Sequence, residues 1–296
     1  MDKIIRGIAA DGTVRVISAI TTETVGEAIR RHKTAPTASA AFGRSLTGAL
    51  LLASTLKDFG RLTLIIESDG PIGRIVAEAD SQGNVRGYVK NPFADLPTKN
   101  GKFDVSGVVG KGMLYVIREE GYDVGFYREP YRGSSPLISG EIAEDIAYYL
   151  ATSEQIPSAV ILGVLLQSKE PFVKAAGGVT VQIMPGADEK TVEMIEETIK
   201  KAPQLTSVIN EGASVEDLIR LALGNLEFEI LQEKPVKFSC NCSLERVISM
   251  ISSMEKNEIE VMLKEDKGAK VTCGFCNKTY ELTEEDLVKI LSNYDQ

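Results

Sequence analysis

The chain has 296 residues, 43% hydrophobic and 25% charged, with a formal net charge of −9. At roughly 100–200 residues per domain that length suggests two domains or three, with enough apolar material for packed cores and far too little Gly and Pro for a disordered chain. The acidic balance argues against a nucleic-acid binder that relies on phosphate neutralisation.

The amino terminus, MDKIIRGIAADGTV, lacks the apolar run of a secretory signal, so a cytoplasmic protein is expected. Lys3–Ala9 and Thr13–Ile20 read as a β-hairpin turning at Asp11-Gly12, a pair that tolerates positive φ. Thr24–Lys33 is expected to be helical. Pro36 suits the first turn of a longer helix to about Lys57. The most apolar stretch, Ala38–Thr55, carries Arg44 and several hydroxyls, so it reads as a buried helix and not a membrane span. Strands are expected at Leu62–Ser68, Gly73–Glu78 and Val85–Val89. A further hairpin joins Met113–Arg118 to Asp123–Tyr127 through Glu119–Tyr122. The spacing of Ile142, Ile146, Tyr149 and Leu150 predicts a helix within Ser139–Ser153. Two apolar strands follow, Ala159–Leu166 and Phe172–Met184, the second expected to break at Gly177-Gly178. Residues 1–186 thus read as an α+β core domain on a mostly antiparallel sheet.

Beyond Met184-Pro185-Gly186 the pattern becomes helical. Asp188 can cap a helix to about Lys201 with Val192, Ile195 and Ile199 on one face. Pro203 opens a short helix, and Ser214 caps another through Leu223. Residues 187–235 are read as an all-helical linker domain, too short to bury much surface without a partner. From residue 236 to 296 comes a small C-terminal domain. Cys240-Asn-Cys242 leads into a helix over Ser243–Met254, and a second short helix lies near Glu258–Lys264. Strands at Ala269–Thr272 and Lys278–Leu282 flank Cys273-Gly-Phe-Cys276. Thr283 with Asp286 forms a capping-box-like start to a last helix through Asn293.

Charge and cysteine divide the chain the same way. Residues 1–187 hold 20 acidic and 20 basic side chains, so the whole excess of −9 lies in the last 109 residues. All four cysteines, Cys240, Cys242, Cys273 and Cys276, lie there too. Their pattern is C-x-C, thirty residues, then C-x-x-C. Two close pairs suit tetrahedral zinc, which takes thiolate sulfur at about 2.3 Å. Gly274 is expected to supply the tight turn, and Lys278 to soften the charge of the thiolates. His32 is the single histidine and lies far upstream, so the candidate ligand set is Cys₄.

Several readings of that pattern stand side by side. Zinc can be a permanent staple for a domain of marginal size, or the thiols can be free and buried. A constitutive zinc module for binding protein or nucleic acid is a further reading, and the acidic tail weighs against nucleic acid as its partner. A thioredoxin-like role for Cys273-Gly-Phe-Cys276 is rejected, because that motif needs its first cysteine at a helix N-terminus and here strands flank it. Without metal, loop-closure entropy favours the short loops, Cys240–Cys242 and Cys273–Cys276, by about 2 kcal/mol for a tenfold difference in loop length. Neither bond spans the domain, so oxidation would unfold it.

Other features carry no chemistry. Gly110-Lys111-Gly112 lacks the upstream Gly and the hydroxyl of a P-loop and reads as a turn. His32, in Arg30-Arg-His-Lys33, reads as a solvated helix-end residue. Asp69-Gly70-Pro71 reads as a turn, and Glu141, Glu144 and Asp145 as an acidic helix start. No enzyme emerges.

The tail Phe238-Ser-Cys-Asn-Cys-Ser, with Cys273-Gly-Phe-Cys276 and Tyr280, resembles the 33 kDa chaperonin (heat-shock protein 33) family. So do Gly43-Arg44-Ser-Leu-Thr-Gly, Val85-Arg86-Gly87-Tyr88, Ser153-Glu154-Gln155-Ile156-Pro157 and Ala175-Ala-Gly177-Gly178-Val-Thr-Val-Gln182, in that order along the chain. The resemblance implies a redox-regulated, ATP-independent holdase of the oxidative stress response. It implies one Zn2+ on Cys240, Cys242, Cys273 and Cys276 in an inactive reduced form. Oxidation of the two pairs to disulfides then releases zinc, unfolds the C-terminal and linker regions, and yields a homodimer that binds unfolding client proteins. No nucleic acid and no membrane partner is implied.

Overall fold

The computed structural model describes residues 1–57, 59–119, 130–292 and 294. It forms two compact units, Met1–Ser239 and the chain from Cys240 onward. In the first unit the chain runs β1 (Lys3–Ala9), β2 (Val14–Ile20), α1 (Thr22–His32), α2 (Pro36–Ala53), β3 (Arg61–Ser68), β4 (Arg74–Asp80) and β5 (Asn84–Val89). It continues with α3 (Val105–Val109), β6 (Gly112–Glu119), β7 (Tyr131–Pro136), α4 (Ala143–Ser153), β8 (Ser158–Leu166) and β9 (Val173–Ile183). Then come α5 (Glu189–Lys201), α6 (Leu205–Asn210), α7 (Val215–Leu223), β10 (Phe228–Pro235) and β11 (Lys237–Phe238).

These strands build two sheets, β10-β1-β2-β9-β8 and β11-β5-β4-β3-β6-β7. Every pairing is antiparallel except that of β11 with β5. Helix α2 packs against strands of both sheets. Its Ala, Leu, Ser and Thr side chains are small or compact enough for that site, and 16 of its 18 residues are buried. Apolar residues on alternate positions of β1 and β2 serve two cores. Ile4, Ile17 and Ala19 face α2, whereas Ile5, Val14 and Val16 face α5–α7. The five-stranded sheet is therefore covered on both faces, and the period of two in its strands is what permits this.

The helices of 187–235 fill the second of these cores. Ile195, Leu205, Ile209, Val215, Leu218 and Ile219 bury their side chains on the sheet. Asp188 caps α5 by accepting from Thr191 N at 2.8 Å. Ser214 and Asp217 form a reciprocal box at the start of α7 (2.9 and 3.2 Å). The segment is not all-helical, however: Phe228–Pro235 returns as β10, paired along β1. A strand satisfies its backbone on the free edge of β1.

Two more expectations change. The strand through Gly177-Gly178 is unbroken, because both glycines serve close packing and not a bend. A Cβ at Gly177 would meet Ala19 O at 2.6 Å, and one at Gly178 would meet Leu162 Cδ2 at 2.6 Å. His32 is half-buried and sits edge-on to Phe42 at 5.6 Å, drawn there by the apolar wall of α2. Asp145 stands with Glu144 in the first turn of α4, an acidic helix start as expected; it is buried, and its Oδ1 also accepts from the N–H groups of Ile138 and Ser139 at 2.8 and 2.9 Å. The strand expected at Asp123–Tyr127 lies outside the described residues; among the described ones β6 pairs with β3 and β7. No helix among the described residues is long and apolar enough to cross a membrane.

In the second unit, α8 (Leu244–Ile251) and α9 (Lys256–Glu265) precede a hairpin of β12 (Gly268–Thr272) and β13 (Thr279–Thr283), then α10 (Glu284–Ser292). The expected end of the last helix, Asn293, lies outside the described residues. Thr283 N donates to Asp286 Oδ2 at 2.9 Å at the start of α10. The core is small: Val247, Ile251, Ile259, Tyr280, Leu282, Leu287 and Ile290.

Candidate metal centre

Two turns carry the four cysteines. Cys240 and Cys242 precede α8, whose N-cap Ser243 accepts from Arg246 N at 3.3 Å. Cys273 and Cys276 sit at the tip of the β12–β13 hairpin, closed by Cys273 N to Lys278 O at 2.9 Å and Asn277 N to Cys273 O at 2.8 Å. The left-handed residue of this turn is Asn277 (φ 56°) and not Gly274, which has no positive φ and open space where a Cβ would stand. Asn tolerates that conformation because its short side chain bonds locally. The turn therefore needs Asn277 more than Gly274.

The turns bring all four Sγ atoms within 4.8 Å of one another. Cys240 and Cys273 are 3.8 Å apart, and Cys242 and Cys276 3.3 Å. None of the four is in a disulfide. A tetrahedron of sulfurs about 2.3 Å from one ion has edges of about 3.8 Å. The donor set and its spacing fit a tetrahedral metal, and four soft thiolates suit zinc or iron over calcium or magnesium. Among the described residues no second group of ligands converges in this way.

The thiols are unequal. Burial pushes Cys242 up, but the Tyr280 hydroxyl, donating to its sulfur at 3.1 Å, and the neighbouring thiols outweigh that and bring it down to about 7. Burial above all, and then its contacts with the other three thiols, push Cys276 up to about 12. The bond to Cys242 raises Tyr280 itself to about 12. Lys278 Nζ lies 4.7 Å from the centroid of the Tyr280 ring, a cation–π contact. Without metal, Cys242 is more ionised near neutral pH than Cys276. The spacing of cysteines could not show the Tyr280 bond. The alternation of Tyr280 with Leu282, both buried on one face of β13, is the signal that places the ring inward.

The chain matches the family model described as Hsp33 protein over residues 2–283. It is 42% identical over 296 residues to the 33 kDa chaperonin of Desulforamulus reducens, covering 100% of this chain and 99% of the relative. The 33 kDa chaperonin of Acetivibrio thermocellus is 44% identical over 292 residues, covering 98% and 97%. The crystal structure of the 33 kDa chaperonin of Thermotoga maritima superposes with a TM-score of 0.90 at 39% identity over 99% of each chain. The fold, the cysteine cluster and these likenesses along the whole length agree, and the chain belongs to the Hsp33 family of chaperones.

Proposed function

We propose that this chain is a redox-regulated, ATP-independent holdase of the cytoplasm that protects unfolding proteins during oxidative stress and is not an enzyme. The observation that carries the reading is the convergence of Cys240, Cys242, Cys273 and Cys276 beside a core of seven buried side chains. So small a core depends on a staple, and metal binding is worth roughly 10–16 kcal/mol in zinc-finger peptides. Zn2+ is the metal proposed for the reduced, inactive form, and all four cysteines are its ligands.

Two equivalents of peroxide convert the four thiols to disulfides Cys240–Cys242 and Cys273–Cys276, each peroxide being reduced to two waters. The sulfurs then no longer hold the metal. Each new bond closes a short loop and leaves the two turns unconnected, so the domain of residues 236–296 loses its staple. The linker of residues 187–235 loosens with it, exposing apolar surface to unfolding clients, and the active form is a homodimer.

The test follows zinc release and suppression of client aggregation in parallel, on reduced protein treated with peroxide under mild heat. Release of zinc as suppression appears, reversed by reductant, supports the switch. Zinc that stays bound, or leaves with no gain of suppression, makes the centre a static staple.

A further inference from the structure

Strand β8 is one edge of the five-stranded sheet; among the described residues it pairs with β9 on one side and with no strand on the other. Its sequence, Ser-Ala-Val-Ile-Leu-Gly-Val-Leu-Leu, holds no charge and no proline. Native edges are usually blunted by such residues, because a bare edge invites another chain. The other edges of the first unit are blunted in that way. Strand β10 carries Glu229, Glu233, Lys234 and Pro235. Strand β11 carries Lys237, and β7 carries Arg132 and Pro136. Strand β8 alone is bare, and all nine of its residues are partly exposed.

The register fixes which backbone groups point outward. Ile183 N donates to Pro157 O at 2.9 Å, so residues 157 and 183 are a hydrogen-bonded antiparallel pair. Such pairs alternate along the ladder. Ala159, Ile161 and Gly163 therefore turn their N–H and C=O toward β9, and Val160, Leu162 and Val164 turn theirs away from it. Of these, Leu162 and Val164 line a groove of about 320 Å³ together with Arg44 and the α5–α6 connection. Arg44 Nη1 is bonded to Glu141, but its buried Nε has no hydrogen-bond partner. A groove of this kind admits one extended chain. It keeps out the edge of a folded sheet, which would bring its own covering helices.

The geometry points to β8 as a binding site for an extended apolar segment of an unfolded polypeptide, added as a sixth strand by backbone hydrogen bonds. This rests on the holdase reading and gives one client segment a place in the first unit. Side chains of the segment alternate between the two faces, so a client stretch of alternating apolar residues fits best.

The test uses the full chain, reduced and peroxide-treated, with the peptide acetyl-KTVTVTVTK-amide and residue-resolved amide hydrogen exchange. In the free protein, the amides of Val160, Leu162 and Val164 exchange fast and those of Ile161 and Gly163 slowly. Bound peptide is expected to slow the outward amides at least tenfold, and N-methylation of alternate peptide amides to weaken binding at least tenfold. Binding without protection of those amides, or equal binding of the N-methylated peptide, overturns the site. Outward amides already protected in free protein, more so at higher concentration, also overturn it, because a second copy then occupies the edge. Suppression of client aggregation on the same samples reads the holdase proposal separately. Suppression without protection at β8 overturns the site and leaves the holdase standing. Protection without suppression upholds the site as a peptide-binding edge and overturns the holdase.

Discussion

Leu218 lies at the centre of α7, fully buried between that helix and the five-stranded sheet, with Val215, Ile219, Ala222 and Leu223 around it. Truncation to alanine removes its methyl groups and leaves a cavity, at a cost of about 2–5 kcal/mol. At 1.4 kcal/mol per tenfold, the population in which the α5–α7 layer is open rises roughly 30-fold to several thousand-fold. The sheet keeps its opposite core on α2, so the layer can open while the sheet stays folded. Leu218→Ala is therefore expected to bind a hydrophobic dye and to suppress client aggregation while still reduced and metal-loaded. The assay is dye fluorescence and light scattering without peroxide, with far-ultraviolet circular dichroism to confirm that the sheet persists. A variant that loses the expected stability in a single global transition, yet shows neither dye binding nor suppression before oxidation, would falsify the idea that this layer opens by itself.

Removing the metal with a chelator under reducing conditions is expected to split thermal unfolding into two transitions. The unit from Cys240 melts first and loosens the α5–α7 layer, as on oxidation, and the sheets packed on α2 melt last; calorimetry showing one unaltered transition contradicts this. Tyr280→Phe keeps the buried ring but removes the donor to Cys242. In metal-free protein the Cys242 thiol then titrates nearer an ordinary cysteine, and its alkylation rate at neutral pH falls roughly tenfold with the thiolate fraction. An unchanged pH profile of alkylation would refute the Tyr280 role. Ser214→Ala is expected to cost about 1 kcal/mol in a denaturant midpoint through loss of the α7 cap. Its partner Asp217 is held below its ordinary value of 3.8 by the Ser214 N–H and then its hydroxyl. Because the folded value is the lower one, its contribution is full above the unfolded value and vanishes as pH falls through the folded one. The stability gap between wild type and Asp217→Asn should therefore close on acidification, and a gap that grew would reverse the assignment.

Periodicity and capping made most of the first unit legible. The largely apolar helix from Pro36, the Asp188 and Ser214 caps, and the Asp11-Gly12 turn each depend on interactions a few residues apart, which a single sequence displays. What stayed hidden depends on distant partners. Phe228–Pro235 mixes charge with apolar residues and becomes a strand only because β1 leaves an edge open to it. Gly177-Gly178 looks like a break until Ala19 and Leu162 are seen against it. The four candidate ligands were evident from C-x-C and C-x-x-C, since ligand pairs are local. Asn277 in place of Gly274 as the left-handed residue, and Tyr280 as the donor to Cys242, follow from hairpin geometry that spacing does not record.

The return of the chain as β10 has a consequence for reversibility. Helices α5–α7 are an excursion that leaves the sheet after β9 and rejoins it at β10, so both ends stay fastened to the same surface. A detached excursion of roughly 45 residues is a closed loop and not a free tail, and most of its encounter entropy, about 3 kcal/mol on the logarithmic rule, is already lost. Its helices remain at high local concentration over the strands they left. Re-docking is then a unimolecular step that dilution does not slow, and it competes with any bound chain for the same apolar face. A client held there would be released by the protein's own segment as it settles back.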